Sequence, residues 1–198
     1  MNELAWRVLG AVFFLGVIAW RLGWWWDGGS AVFWVETSVY ALIVLAYVRR
    51  TPAYERAHGA LEVLLPLVGA VAPFALLAAP WRPVVSERAY VALLLAGGGL
   101  AAVSYAFLGG SFAILVEARA LRASGPYRFV RHPIYLGQLI AATGVFLGRC
   151  VFWEGLVLAA FASVQVARAV LEERKLLRAT PGYAEYRART WMLVPFVL

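Results

Sequence analysis

The sequence is short of the residues from which disulfides, metal sites and water-soluble surfaces are built. Cys150 is the only cysteine and the chain has two histidines. An internal disulfide and a cysteine-based metal site are therefore excluded, and no metal site is predicted. Charged residues make up only 15% of the 198 residues, whereas hydrophobic residues make up 63%. A soluble globular protein is typically about half apolar, so the composition predicts a membrane protein in contact with the lipid bilayer.

Acidic residues are also scarce, since 11 Asp and Glu stand against 18 Lys and Arg and the formal net charge is +7. Strong basicity can indicate nucleic-acid binding. Here the basic residues lie at the ends of apolar segments, as expected for the cytoplasmic loops of a membrane protein. The sequence therefore predicts membrane topology from its charge, and no nucleic-acid partner.

The first apolar segment lacks a small-residue cleavage site and further apolar segments follow it, so it is expected to remain as a membrane helix. Judged against the roughly 20 residues that a spanning helix needs, six segments stand out. They are 4–24, 31–48, 59–79, 89–108, 133–147 and 151–170, the last continuing as a polar helix to about residue 179. We expect an all-α integral membrane protein with about six transmembrane helices, the last two forming a hairpin, and a cytoplasmic C-terminal helix and tail.

The distribution of basic residues predicts the orientation of the chain. With the N-terminus in the cytoplasm, 14 of the 18 Lys and Arg fall on the cytoplasmic side, which matches the positive-inside rule. Both termini are then cytoplasmic, and loop 125–135 lies on the same face as the C-terminal tail. We treat 1–198 as one membrane domain, with four transmembrane helices in 1–108 and a cofactor-binding catalytic region in 109–198.

Two polar groups of residues converge at this face. The first is the loop that enters the fifth helix, where Arg131 and His132 precede Pro133, a residue suited to the first helical turn. Charged groups beside a membrane are costly and usually mark a functional site. The second group contains Glu172 and Glu173, which point in different directions around a helix. One glutamate can then pair with an arginine while the other faces a ligand.

The motifs Gly125-Pro-Tyr, Arg131-His-Pro-x-Tyr135 and Glu172-Glu173-x-x-Leu resemble the isoprenylcysteine carboxyl methyltransferases and the wider group that includes the phospholipid N-methyltransferases. The resemblance covers about 109–195. It implies an integral membrane enzyme that uses S-adenosylmethionine and releases S-adenosylhomocysteine. The cofactor-binding residues that it implies are Gly125, Tyr127, His132, Pro133, Tyr135, Glu172 and Glu173.

The same resemblance implies catalytic roles for Arg131, Glu173 and Arg189, and acceptor binding by Tyr186 and Arg189, the arginine holding a carboxylate. The family often has Phe-Gly-x-x-Tyr-x-x-Tyr after the glutamates. In this chain Thr180-Pro-Gly182 is followed directly by Tyr183, with Tyr186 three residues further on, so the tyrosines lie closer to the glycine than in that pattern.

The acceptor expected from the resemblance is a lipophilic or prenylated molecule with a carboxylate, which needs no general base. A phospholipid amine or a phenolic lipid is the nearest alternative, and its proton would have to be removed. A second class is an NADPH-dependent reductase of the sterol-reductase type, and a third is a non-enzymatic scaffold or transporter. Taken singly, Arg131 also fits a positive-inside anchor and the glutamate pair a solvated helix face.

Overall fold

The computed structural model describes residues 3–24, 30–75, 83–113 and 115–195, which form an all-helical membrane architecture as expected. Within these ranges there is no strand, and the only sheet-like pairings are two isolated bridges, Glu55 with Ala118 and Val130 with Trp191. The helices are α1 Glu3–Trp24, α2 Ala31–Val48, α3 Ala60–Ala75, α4 Glu87–Leu108, α5 Pro133–Arg149, α6 Phe152–Ala179 and α7 Tyr183–Ala188.

Four of the six apolar segments form helices that are long and apolar enough to cross a membrane, namely α1, α2, α4 and α6. Helix α5 has 17 residues, or about 25 Å, which is less than the hydrocarbon thickness of roughly 30 Å. The described part of α3 has 16 residues, and the predicted extension over 76–79 lies outside the described residues. Cys150 ends α5 in a left-handed conformation, with φ of 45°, and α6 begins at Phe152. The α5–α6 hairpin therefore turns within two residues.

The helices pack in the order α1, α2, α4, α5, α6, α3. Glycines lie where the backbones of α4 and α5 pack closely against each other. A Cβ atom on Gly97 would lie 2.5 Å from the backbone atoms Gly137 O and Ala141 N, and one on Gly137 would lie 2.6 Å from Gly97 O. Helix α1 lies at one end of this order and exposes most of its apolar side chains. Its salt bridge to α2 joins Arg21 Nη2 and Glu36 Oε2 at 2.7 Å, so Glu36 pairs with a neighbouring helix.

A buried lysine ties the loops to the end of α6. Lys175, the only lysine in the chain, is 0% exposed. Its ammonium group donates to Glu62 Oε2 at 2.6 Å, to Arg56 O at 2.8 Å and to Val116 O at 3.1 Å. These contacts join α6 to the start of α3, to the loop after α2 and to the segment after α4. They fix the end of the helix that carries the two neighbouring glutamates.

Candidate active site

The loop before α5 and the C-terminal tail pair through their backbones. The Arg131 amide donates to Trp191 O at 2.8 Å, the His132 amide donates to Met192 O at 3.1 Å, and the Trp191 amide donates to Phe129 O at 3.1 Å. Upstream, Gly125 begins a 3₁₀ turn with φ of 58°, and a Cβ there would lie 2.6 Å from the Phe107 ring. Glycine is therefore needed at this turn both for its conformation and for space.

Glu173 is the anchor between α6, the loop and the tail. Its Oε1 accepts from Arg131 Nε at 2.5 Å, and its Oε2 lies 3.2 Å from Arg187 Nε. Arg131 also donates to the carbonyl oxygens of Arg187 and Thr190. With a side chain that is 6% exposed, Glu173 is engaged on both oxygens by cations. It satisfies the expectation that one glutamate of the pair binds an arginine.

Glu172 has different surroundings, because its contacts are to aromatic side chains. The Tyr135 hydroxyl donates to Glu172 Oε1, and His132 Nδ1 lies 3.7 Å from Glu172 Oε2. The His132 and Tyr135 rings stack with centroids 5.4 Å apart and an interplanar angle of 3°. The second ring nitrogen of His132 lies 3.5 Å from Glu173 Oε1, beyond the usual hydrogen-bond distance. Because its side chain is 18% exposed, Glu172 is the more accessible carboxylate of the two.

Tyrosines from the loop and the tail line the same region. The Tyr186 hydroxyl donates to Tyr127 O at 2.8 Å. The hydroxyl groups of Tyr127 and Tyr183 are buried, and neither has a hydrogen-bond partner in the part of the chain that the structure describes. Burial raises the pKa of both phenols well above their ordinary value, and it raises the pKa of Tyr186 to about 12. All three phenols are therefore neutral near pH 7 and keep their protons for donation.

Arg189 lines a water-facing cleft of about 540 Å³, and neither Glu172 nor Glu173 is among the residues that line it. Residues that line this cleft include Arg128, Glu185, Tyr186, Arg189 and Thr190. Arg128 and Arg189 are both exposed, and neither has a carboxylate partner within the described ranges. The hydrogen bond from the Tyr186 hydroxyl to Tyr127 O joins the cleft to the loop before α5. The cleft is basic and is open to anionic groups from the aqueous side.

The sequence-predicted residues fall into two places. Arg131, His132, Tyr135, Glu172 and Glu173 form one connected cluster. Pro133 is buried at the first turn of α5. Tyr127 lies beside the cluster, and Gly125 shapes the turn that leads to it. Tyr186 and Arg189 line the neighbouring cleft. Their individual chemical roles stay predictions.

Four further residues contribute to this region that the sequence-based prediction of the site did not include. Arg187 reaches Glu173, Trp191 and Met192 pair with the loop, and Arg168 lies with its guanidinium carbon 4.7 Å from the Tyr135 ring centroid. The four-residue spacing of Arg168 and Glu172 indicates that they share a helical face, and both indeed contact Tyr135. The tail pairs with the loop through backbone groups, so no pattern of side chains in the sequence predicts this contact.

Comparison with known proteins gives a family match that spans the loop before α5 and the two glutamates. Residues 90–180 match the family model described as phospholipid methyltransferase. Over this part of the chain, somewhat less than half of its length, the protein is thus similar to a family of membrane methyltransferases that is related to the isoprenylcysteine carboxyl methyltransferases, and the resemblance predicted from the motifs is confirmed. The matched region begins in α4 and ends just after α6, so it contains the loop and both glutamates. No curated protein matches the chain.

Proposed function

We propose that this protein is an S-adenosylmethionine-dependent methyltransferase that acts on a lipophilic acceptor at the cytoplasmic face of the membrane. The observation that carries the proposal is the cluster of His132, Tyr135 and Glu172 inside the matched region. In this cluster the accessible carboxylate of Glu172 lies beside the stacked rings of His132 and Tyr135, at the start of α5. The predicted orientation, with both termini cytoplasmic, belongs to the same proposal.

The chemistry of the site fits this cofactor. Glu172 is a hydrogen-bond acceptor suited to an ammonium group or to ribose hydroxyls, and the rings of His132 and Tyr135 offer stacking surface. The buried hydroxyl of Tyr127 has no partner among the described residues, which favours a ligand with polar atoms at that point. When bound, S-adenosylmethionine supplies a methyl group on a sulfonium sulfur, and transfer leaves the thioether S-adenosylhomocysteine.

The remaining predicted residues receive supporting roles. Gly125 and Pro133 shape the loop and the start of α5. Arg131 and Glu173 bind each other and thereby hold the loop against α6. The protein mainly has to align the donor with the acceptor and to keep water out, because the methyl donor is intrinsically reactive.

For the acceptor, we favour a lipophilic carboxylate such as that of an isoprenylcysteine. Arg189 and Tyr186 line a cleft that also contains a second arginine, Arg128. The two arginines outnumber its one acidic side chain, Glu185. An anionic acceptor is therefore attracted, and its carboxylate oxygen can be methylated without the loss of a proton. The family description favours a phospholipid amine instead. In that reaction His132 or Glu172 would have to receive the proton that the amine loses.

Isothermal titration of the detergent-solubilised full chain with S-adenosylhomocysteine and with NADPH tests the cofactor. We expect binding of the first compound alone, with strong loss of affinity in His132→Ala. His58→Ala is the matched control, because His58 is the other histidine and is exposed. Binding of NADPH would favour the reductase class. Binding of neither compound, or unchanged affinity in His132→Ala, would contradict the proposal.

The acceptor is tested by transfer of a labelled methyl group to defined lipids. Isoprenylcysteine analogues, phosphatidylethanolamine and phenolic lipids are compared in separate reactions, and the labelled product is then treated with base. A carboxyl methyl ester releases volatile label under base, whereas an N-methyl amine does not. Label that remains base-stable on the phospholipid would replace the carboxylate with the amine as acceptor.

A further inference from the structure

A line of buried and partly buried polar side chains runs from the glutamate cluster along α5 and into the apolar part of α6. Arg168 Nη1 donates to Gln165 Oε1 at 3.0 Å, and Gln165 Nε2 donates to Gln138 Oε1. Gln165 is 0% exposed and Arg168 is 7% exposed. From Gln165 to Glu172 the helix advances by about 10 Å. Such polar groups are rare at membrane depth and are seldom retained without a role.

The line ends on a proposed cofactor residue. The guanidinium carbon of Arg168 lies 4.7 Å from the centroid of the Tyr135 ring, and the hydroxyl of the same ring donates to Glu172. Cation–π attraction is stronger when the two groups are shielded from water. Arg168 therefore restricts the orientation of the ring, and the ring in turn restricts the orientation of the Glu172 carboxylate.

Helix α3 covers the line from the other side. A Cβ on Gly69 would lie 3.1 Å from Arg168 Nη1 and 3.3 Å from Gln165 Oε1. The α3 backbone thus packs directly against this pair of side chains, and a glycine leaves room for them. Three helices enclose the arginine, which limits the orientations that its planar guanidinium can take.

We infer that Arg168, oriented by Gln165 and Gln138, is a positioning residue that sets Tyr135 and through it the carboxylate of Glu172. The inference rests on the proposed function, because the orientation of the Glu172 carboxylate matters only if Glu172 binds the cofactor. Groups that orient metal ligands change metal affinity by roughly tenfold or more when they are removed, and we expect an effect of similar size for a group that orients a ligand-binding carboxylate. Arg168 itself is not assigned a contact with the donor or the acceptor.

The test is the affinity of the detergent-solubilised chain for S-adenosylhomocysteine, measured together with the melting temperature. We expect Arg168→Gln to raise the dissociation constant roughly tenfold. Arg168→Lys should recover part of the loss, because lysine keeps the charge but lacks the planar fork. Gln165→Leu should give a smaller loss of about threefold. Arg174→Gln is the matched control, since Arg174 lies on the same helix but is exposed, and it should bind as the unchanged chain does.

A double-mutant cycle separates positioning from a general structural role. Where two residues act through one contact, their effects are not additive. In a Tyr135→Leu background, Arg168→Gln should therefore cause little further loss of affinity. Additive losses, or an Arg168→Gln dissociation constant within about twofold of the unchanged chain, would overturn the inference alone. Failure of all three single variants to fold would also overturn it, in favour of a structural role. An unchanged chain that does not bind S-adenosylhomocysteine would overturn the proposed function as well.

Discussion

Glu172 and Glu173 are adjacent in the sequence, yet the fold gives them different surroundings. Glu173 is bound by Arg131 and Arg187, which belong to the loop and the tail. Glu172 accepts a hydrogen bond from the Tyr135 hydroxyl and lies near His132. One residue of helical rotation, about 100°, is enough to direct one carboxylate to cations and the other to aromatic rings. The pair thus combines a structural anchor with a proposed ligand-binding group.

Substituting each glutamate separately should therefore affect different measurements. Glu172→Gln should raise the dissociation constant for S-adenosylhomocysteine about tenfold, because a charge-assisted hydrogen bond to the ligand becomes a neutral one. Its melting temperature should change little. Glu173→Gln should lower the free energy of unfolding by about 3 kcal/mol, since Arg131 would be left buried without its carboxylate. Titration calorimetry and thermal unfolding of both variants check this division. Equal effects of the two variants on both measurements would contradict it.

Lys175 provides a second prediction at this scale. Its ammonium group is fully buried, with Glu62 Oε2 at 2.6 Å. Lys175→Met keeps an unbranched side chain of nearly the same length, but it leaves the carbonyl oxygens of Arg56 and Val116 without this donor. The Glu62 carboxylate loses its cation and, among the described residues, keeps only the His58 amide as a donor. The free energy of unfolding should fall by about 3 kcal/mol. The control is Arg178→Gln on the next turn of α6, where the arginine side chain is 65% exposed and 3.2 Å from Glu55. Its loss should be below about 1 kcal/mol.

At the scale of elements, the α4–α5 contact determines where the loop can place its residues. Helix α5 begins at Pro133, directly after His132, so a shift of the helix moves His132 with it. Gly97 and Gly137 allow the two backbones to touch, as small residues do in membrane helix pairs. The geometry of the proposed site therefore depends on two glycines that have no side chain in it.

Gly97→Ala and Gly99→Ala form a matched pair on α4. The added methyl group at residue 97 would lie 2.5 Å from backbone atoms of α5, whereas nothing lies within 4 Å of a Cβ at residue 99. Gly97→Ala should destabilise the protein by about 1–3 kcal/mol through overpacking. Gly99→Ala should be neutral or slightly stabilising, because alanine is the better helix former. Thermal unfolding in detergent distinguishes the two, and equal melting temperatures would rule out the close packing.

The helices could be predicted from the sequence far better than the contacts between loops. Segment 31–48 coincides with α2 because Ser30 caps its start, with the Phe33 amide donating to its hydroxyl. Helix α5 runs two residues beyond the predicted 147, since Gly148 and Arg149 stay helical up to the left-handed Cys150. The tail pairs with the loop through backbone groups, which have no sequence period. The charge distribution alone cannot distinguish Lys175 from the exposed cytoplasmic cations, because burial of a polar helix end depends on distant loops.

At the scale of the whole molecule, the site depends on which end of the helical bundle faces the cytoplasm. The loop before α5 and the end of α6 lie at one end, and the α5–α6 turn around Cys150 lies at the other. The charge distribution predicts that the first end is cytoplasmic. Helix α6 has 28 residues, or about 42 Å, and so exceeds the hydrocarbon core by roughly two turns. This excess length lets its last turns, which carry both glutamates, reach the aqueous face.

The single cysteine gives a direct test of this orientation. Cys150 is exposed in the α5–α6 turn, so the unchanged chain needs no engineered reporter on that side. In sealed vesicles of known orientation, a membrane-impermeant maleimide should label Cys150 only from the non-cytoplasmic side. The matched reporter is Ser124→Cys in a Cys150→Ser background, because Ser124 is exposed in the loop before α5. It should be labelled only from the cytoplasmic side. The reverse pattern would invert the topology and place the glutamate cluster and the basic cleft on the outer face, where a cytoplasmic methyl donor could not reach them.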